Sequence, residues 1–405
     1  MHRIAKMAGV VRSALVLGAS LVLWLGLLGC AGHRPARTPA ELLTLRQAHD
    51  TDYADQARTL IHRLVEHTKA RYDAYAVGRA AAPPTVELLV ISGGGDWGAF
   101  GAGFLKGWSR VQGAMALPQF DAVTGVSTGA LIAPFAFLGD AQSLDTIEAL
   151  YRHPQSDWVK QRWPLYFLPS NMSFATVPGL EREMRARVDL ALLRRVADAS
   201  RAGRLLLVNT TDIDDGGMWV WDVGREAQRA VESGNVDRVH RILLASAGIP
   251  GAFPFREIDD SLYVDGGVTG NILYGGRVRE EQSFPALWVA AYPHLPVPTI
   301  RYWVIFNNQL RPLPQVTEPT WPAVVSRSLE MGTRAATLTS MRHLFAQAAI
   351  SRLMRGATIE VRIVAVPDDF VPPKPGTFDK DTMNALADLG EKMGEDASSW
   401  RTESP

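Results

Sequence analysis

The amino-acid sequence predicts an α/β fold with a mostly parallel central sheet, and two stretches carry that prediction. The first is an apolar strand pattern, Val86–Ile91, that runs directly into a glycine-rich loop. The second is a strand pattern at residues 120–124, followed by the pentapeptide 125–129 (Gly-Val-Ser-Thr-Gly) and an apolar helical run. Two glycine-rich strand-to-helix turns spaced about thirty residues apart are typical of adjacent parallel strands. Both turns are therefore expected at the same edge of the sheet.

Further periodic patterns extend this arrangement along the chain. Alternating or continuous apolar runs predict strands at residues 204–209, 218–223, 261–264, 286–290, 302–306 and 359–364. Apolar residues at three-and-four spacing predict helices at residues 40–76, 180–201, 324–354 and 379–394. Strand and helix patterns alternate, as an α/β sheet requires.

Length and composition limit the class of protein. A chain of 405 residues with 47% hydrophobic content can bury a large core, in one large domain or two ordinary ones. The 42 basic residues equal the 42 acidic residues in number, so the net charge favours no acidic polymer as a partner. We expect no nucleic-acid partner.

The first thirty residues have the layout of a secretory signal. Arg3, Lys6 and Arg12 precede an uncharged apolar run at residues 14–29, which is short for a membrane span. The run ends at Cys30, the only cysteine in the chain, and Leu27-Leu28-Gly29-Cys30 resembles the lipobox of bacterial lipoproteins. The resemblance implies a signal peptide over residues 1–29 and a lipidated Cys30. Since Ala31 is not aspartate, it also implies an outer-membrane anchor facing the periplasm. The alternative is an ordinary cleaved signal with an incidental cysteine.

Ser127 is the candidate nucleophile. Gly125 and Gly129 lack a β-carbon, so backbone and substrate can both approach a serine at the tip of the turn. The following helix would place the positive end of its dipole beside an ionising hydroxyl. A glycine-rich turn with a solvated serine is the alternative that the pentapeptide alone leaves open.

The glycine-rich loop offers backbone amides at the start of a helix. Four glycines, Gly93, Gly94, Gly95 and Gly98, are the candidate oxyanion hole for Ser127. Their spacing also fits a dinucleotide-binding loop. That alternative needs an acidic residue at a second strand end about twenty residues on. The nearest candidate, Asp121, lies only a few residues before Ser127.

One single aspartate and one cluster of three aspartates come later in the chain. Asp265 follows a short strand pattern and precedes Gly266 and Gly267, a position that suits a general base, or an aspartate that only shapes its turn. The cluster of Asp212, Asp214 and Asp215 could bind a cation. We prefer a hairpin turn there, because Asp-Asp-Gly-Gly separates two strand patterns.

The ordered set of motifs resembles the patatin-like phospholipase family. The set consists of the glycine loop at residues 93–98, the pentapeptide around Ser127 and the later Asp265-Gly266-Gly267, supported by the stretch at residues 244–254. The resemblance implies a three-layer α/β/α hydrolase with a mostly parallel sheet. It implies a Ser127–Asp265 dyad that cleaves lipid esters without histidine, cofactor or metal. Trp97 departs from the family pattern, which usually has arginine or lysine in the loop.

The resulting division of the chain has four parts. After the signal peptide come a tether and N-terminal helical segment at residues 30–84, a catalytic domain at 85–370, and a C-terminal helix and tail at 371–405. The expected partners are a lipid or ester substrate and a membrane reached through lipidated Cys30. The aromatic-rich segment 151–178 is a candidate lid.

Two other functions remain open from the sequence. A Ser-Asp-His triad would recruit His294 or His343, which both follow Asp265 in the chain. A lipoprotein that keeps this fold as a binding module without catalysis is the other possibility.

Overall fold

The computed structural model describes residues 37–162, 171–374 and 376–405, and its centre is a mixed sheet with helices on both faces. The predicted signal peptide and Cys30, and residues 163–170 of the candidate lid, lie outside the described residues. The order of strands across the sheet is β10-β9-β1-β2-β5-β8-β7, with β6 paired to β5. Their bounds are β1 Val86–Ile91, β2 Ala122–Val126, β5 Leu205–Asp212, β6 Gly217–Asp222, β7 Arg256–Ile258, β8 Ser261–Asp265, β9 Ile300–Gln309 and β10 Ile359–Val366. A separate small hairpin joins β3 Lys160–Gln161 to β4 Ala175–Thr176.

Five strands form the parallel part of the sheet. Strands β10, β9, β1, β2 and β5 pair in parallel in that order. Strands β6 and β8 pair with β5 in the antiparallel sense, and β7 extends β8. The α/β fold with a mostly parallel sheet is therefore confirmed, as is the predicted hairpin between β5 and β6.

Eleven helices are described. They are α1 Pro39–Ala76, α2 Gly98–Trp108, α3 Thr128–Leu138, α4 Ala141–Arg152, α5 Pro178–Arg187, α6 Leu190–Arg201, α7 Val223–Ser233, α8 Asp237–Ser246, α9 Phe284–Ala291, α10 Trp321–Arg355 and α11 Lys380–Glu395. Among the residues of the three described ranges, no helix is both long enough and apolar enough to cross a membrane.

The alternation of side chains along the strands divides the core between the two faces. Leu89 and Ile91 of β1 are buried against helices α2, α3 and α4. Val86 of the same strand is buried on the opposite face, with α1 and α9. Since successive residues of a strand point to opposite faces, a continuous apolar strand indicates that both faces are covered. The result is three layers.

The C-terminal helix α11 packs unusually close to α2. A β-carbon added to Gly103 of α2 would lie 2.2 Å from the backbone oxygen of Ala387, and one added to Gly107 would lie 2.0 Å from that of Glu391. Only glycine permits the two helix backbones to approach this closely. After α11, Trp400 joins the same core cluster, and Arg401 bridges to Ile363 of β10.

The strand predicted at residues 286–290 is wrong, because those residues belong to helix α9. Ser283 caps the helix by accepting a hydrogen bond from the amide of Ala286, and Pro285 occupies its first turn. Both features favour a helix start. A short apolar run does not distinguish a buried strand from a buried helix, so these capping residues were the available signal.

Candidate active site

Ser127 stands at the turn between β2 and α3. Its backbone has φ 54° and ψ −124°, a left-handed conformation that is rare for a residue with a β-carbon. The turn is tight: a β-carbon added to Gly129 would lie 2.3 Å from the backbone oxygen of Ile91. Strained backbone of this kind concentrates at functional sites and holds the serine at the sharp tip of a strand-to-helix turn.

A network of hydrogen bonds fixes this turn from the adjacent strand. The amide of Ser127 donates to Oγ of Ser246 at 3.0 Å, and that hydroxyl donates to the backbone oxygen of Asn209 at 2.6 Å. The Asn209 side chain donates in turn to the backbone oxygens of Gly266 and Gly270. The end of β5 therefore holds the serine turn and the Asp265 turn together.

Asp265 ends strand β8 and lies next to the serine. The Ser127 side chain lies close enough to the Asp265 carboxylate to lower its pKa, and the amide of Gly267 donates a hydrogen bond to its Oδ1 at 2.7 Å. Only 6% of Asp265 and 5% of Ser127 are exposed to solvent. Burial raises the pKa of Asp265 to about 6, against the opposing effect of Ser127 and Gly267. A carboxyl with this pKa is a stronger base than an ordinary aspartate.

The glycine loop lies against Ser127, but its four amides are not equivalent. The amide of Gly93 donates to Oδ1 of Asn271 at 3.0 Å, and the amide of Gly98 donates to the backbone oxygens of Gly95 and Asp96. Within the described part of the chain, the amides of Gly94 and Gly95 have no hydrogen-bond acceptor. Two of the four amides, those of Gly94 and Gly95, are therefore unpaired, and the other two hold the loop.

The loop is fixed at its base by strand β9 and by the Asp265 turn. The side chain and backbone of Asn307 donate to the backbone oxygen and hydroxyl of Ser92, both at 2.9 Å. A β-carbon on Gly94 would lie 2.2 Å from the Asn307 backbone oxygen. The Asn271 side chain joins the other side of the loop to the turn after Asp265. No pattern in the sequence assigns a role to Asn209, Ser246 or Asn307.

Replacing Asn271 with alanine is expected to lower kcat for ester hydrolysis about 3- to 10-fold, with little change in KM. The substitution removes one hydrogen bond that fixes the Gly93 amide and hence the position of Gly94 and Gly95. Steady-state kinetics of the variant check this, beside Asn235→Ala in an exposed loop as the control. A KM effect alone would contradict a role in positioning the loop.

Asp96 is a second buried carboxyl in the glycine loop. It is 6% exposed and accepts a hydrogen bond at 2.7 Å from the amide of Phe378, whose φ is 59°. Burial raises the pKa of Asp96 to about 6. Because Phe378 borders the space in front of Ser127, Asp96 ties the loop to one wall of the site.

A narrow pocket opens at Ser127. Its walls are almost wholly apolar and include Leu131, Leu150, Trp158, Ile249, Phe253 and Phe378. Gly95 and Thr128 complete the polar end beside the serine. A larger apolar cavity of about 200 Å³ lies on the opposite face of the sheet, between α1, α9 and α10, and Ser127 does not line it.

The two candidate triad histidines lie away from this pocket. His343 is on α10, where its Nδ1 is 2.8 Å from the hydroxyl of Tyr274. His294 precedes Leu295, which packs with Val86 and Ile300 at the starts of β1 and β9. Ser127, in contrast, follows the last residue of β2. In the described ranges, no histidine lines the pocket.

Asp121 is not positioned to serve as the acidic residue that a dinucleotide site would need. Asp121 immediately precedes β2 and lies at the opposite sheet edge from the glycine loop. Its carboxylate accepts hydrogen bonds from Arg71 at 2.6 Å and from the amide of Glu87 at 2.8 Å, and it is 3.1 Å from His67. It therefore joins α1 to the sheet.

Comparison with known proteins agrees with the motifs. No curated protein matches the chain. Among solved structures, the chain is similar to that described as the crystal structure of VipD from Legionella pneumophila, with 13% sequence identity and a TM-score of 0.36, over 80% of this chain and 69% of that chain. The family model described as patatin-like phospholipase matches residues 89–275, a segment that contains the glycine loop, Ser127 and Asp265. Residues 89–275 of this chain thus match the patatin-like phospholipase family.

Proposed function

We propose that the protein is a serine acyl hydrolase that cleaves carboxylic esters of lipids with a Ser127–Asp265 dyad. The observation that carries this proposal is a strained, buried serine beside a buried aspartate, at the end of an apolar pocket. The family of the domain supports the reaction class.

In the proposed reaction, the Asp265 carboxylate takes the proton of the Ser127 hydroxyl as Oγ attacks the ester carbonyl. The carbonyl oxygen becomes an oxyanion, which the amides of Gly94 and Gly95 stabilise. The tetrahedral intermediate collapses, the alcohol leaves with the proton from Asp265, and an acyl-serine remains. Asp265 then takes a proton from water, which attacks the acyl-serine, and the acid product leaves as Ser127 regains its proton.

The pocket favours a hydrocarbon acyl chain over a polar one. Leu131, Leu150 and Phe253 would contact methylene groups, and each buried methylene contributes about 0.8 kcal/mol. Because residue 97 is tryptophan, the loop offers no basic side chain at that position. The Trp97 ring packs edge-on against Phe370, with ring centroids 5.7 Å apart. A neutral ester head group suits this loop as well as a phosphate does.

Hydrolysis of a p-nitrophenyl ester series by the full chain tests the proposal. We expect kcat/KM to rise from acetyl to octanoyl, because the longer chain buries more apolar surface in the pocket. Absence of turnover for every ester, and for phospholipid and glyceride substrates, by a folded protein would favour a binding module instead.

Ile249 should control the acyl-chain preference. Ile249→Phe is expected to lower kcat/KM for the octanoyl ester about 10-fold or more while leaving the acetyl ester within about twofold. The partly buried Ile249 side chain lines the pocket, so a larger ring occupies the space for the distal methylenes. Ile350→Phe, at an exposed position on α10, is the matched control. Equal losses on both esters would place Ile249 outside the acyl path.

We also propose that the mature protein is anchored to the cell envelope through a lipid on Cys30, facing the periplasm. The sequence around Cys30 supports this location, and a membrane would supply the proposed substrate class. Membrane fractionation of wild type and Cys30→Ser is the test, and equal recovery of both in the membrane fraction would reject the anchor.

A further inference from the structure

A second polar cluster lies at the C-terminal end of strand β5, where helix α1 crosses the β5–β6 hairpin. It contains His49 of α1, Asp212 at the end of β5, and Asp215 in the turn. One nitrogen of His49 and one oxygen of each carboxylate all lie within 4.8 Å of one another. The proposed hydrolase mechanism uses none of these residues.

Hydrogen bonds within the turn fix one oxygen of the Asp212 carboxylate and one of the Asp215 carboxylate. The other oxygen of each carboxylate points toward His49. Oδ1 of Asp212 accepts from the amide of Asp214 at 2.9 Å, and Oδ1 of Asp215 accepts from the amide of Gly217. Oδ2 of Asp215 contacts Nδ1 of His49, and Oδ2 of Asp212 is 3.9 Å from the same nitrogen. The two carboxylates are therefore oriented toward one point before any ligand arrives.

The side chain of Asp212 gives independent support for a bound cation. Its side chain is 1% exposed, and Oδ2 has no hydrogen-bond partner among the described residues. A buried carboxylate oxygen without a donor costs free energy that a bound cation would recover. The hairpin turn that the sequence favours is present, but a turn alone does not account for this oxygen.

We propose that His49, Asp212 and Asp215 bind one divalent transition-metal cation of the Zn²⁺ class. An imidazole nitrogen with two carboxylate oxygens suits zinc better than calcium or magnesium, which prefer oxygen ligands alone. Zinc needs its ligands at about 2.0 to 2.2 Å, so small side-chain rotations would separate His49 from Asp215 and bring Asp212 closer. Water would complete the coordination.

Such an ion would fasten α1 to the catalytic sheet. Asp212 pairs with Tyr263 in the same ladder in which Thr210 pairs with Asp265, about 7 Å along the strand. His49 also packs on Trp219 of β6, with ring centroids 4.9 Å apart. Arg46 donates to the backbone oxygen of Asp215, a nearby positive charge that weakens the site without occupying it. The expected role is to stabilise the fold rather than to take part in ester cleavage.

Zinc titration of the chelator-treated full chain, by calorimetry and thermal unfolding, tests the site. Wild type is expected to bind one Zn²⁺ with a rise in Tm. Asp212→Asn and His49→Gln should each lower the affinity about 10-fold or more. His62→Gln, at an exposed position of the same helix, should leave it unchanged.

Lack of zinc binding by folded wild type, or equal affinity in all four proteins, would overturn the proposal. Calcium binding without zinc binding would also overturn it. If the variants do not fold, X-ray absorption of the zinc-loaded wild type decides. One imidazole with oxygen ligands supports the site, whereas a sulfur ligand, from Cys30, or oxygen ligands alone would refute it.

Discussion

Ser127→Ala is expected to lower kcat/KM for ester hydrolysis by about 10⁴-fold or more, because no other group can form the acyl-enzyme. The substitution removes the hydroxyl beside Asp265, while the hydrogen bond from the amide of residue 127 to Ser246 remains. Initial rates with a p-nitrophenyl ester measure the loss, and circular dichroism checks the fold.

Ser351→Ala is the matched control for this experiment, since Ser351 is equally buried, at 5% exposed, but lies on α10 at the opposite face of the sheet. It should retain wild-type turnover. Activity of Ser127→Ala within about tenfold of wild type would show that another residue is the nucleophile.

Asp265→Asn is expected to lower kcat/KM by about 10² to 10⁴-fold, because an amide cannot take the serine proton. In wild type, kcat/KM should rise with pH and level off above a pH of about 6, where the Asp265 carboxyl has lost its proton. Asp96 has a pKa raised to a similar value. Asp96→Asn should therefore keep the rise near pH 6, and loss of the rise in that variant would assign it to Asp96.

The substitution Asp265→Asn should also stabilise the folded protein above pH 6. The folded state raises the pKa of Asp265 from 3.8 to about 6, so it disfavours the ionised carboxyl. The contribution of this group to stability is complete below the unfolded pKa and is lost as the pH rises through the folded value. At pH 8 the loss is at most about 3 kcal/mol.

Thermal unfolding of wild type and Asp265→Asn across pH 4 to 8 measures this effect. The Tm of Asp265→Asn should exceed that of wild type at pH 8, and the difference should shrink toward pH 4. A constant difference at every pH would contradict an ionised, buried Asp265 in the folded state.

The features that the sequence predicts well are local. The Gly125–Gly129 pentapeptide and the glycine loop each combine a buried strand, a turn that needs missing β-carbons and a helix start. All three signals lie within about fifteen residues. The parallel pairing of β1 with β2 then follows, as does the approach of the loop to Ser127.

The features that sequence reasoning missed depend on pairing between distant segments. Ser246 supports Ser127 from 119 positions away, and Asn307 supports Ser92 from 215. Ser246 lies in the stretch at residues 244–254 that supports the family resemblance, but that stretch does not indicate which group Ser246 contacts, and Asn307 has no distinctive local pattern. The sequence also does not show which loop amides are paired within the protein. The amide of Gly93 is paired because the fold brings it next to the distant side chain of Asn271.

Labelling with a fluorophosphonate, followed by peptide mass spectrometry, tests the central claim most directly. Wild type should carry one phosphonyl group on the Ser127 peptide, Asp265→Asn should label much more slowly, and Ser127→Ala should carry none. A folded wild type that does not label, or a Ser127→Ala variant that labels as fast as wild type, would contradict Ser127 as the nucleophile.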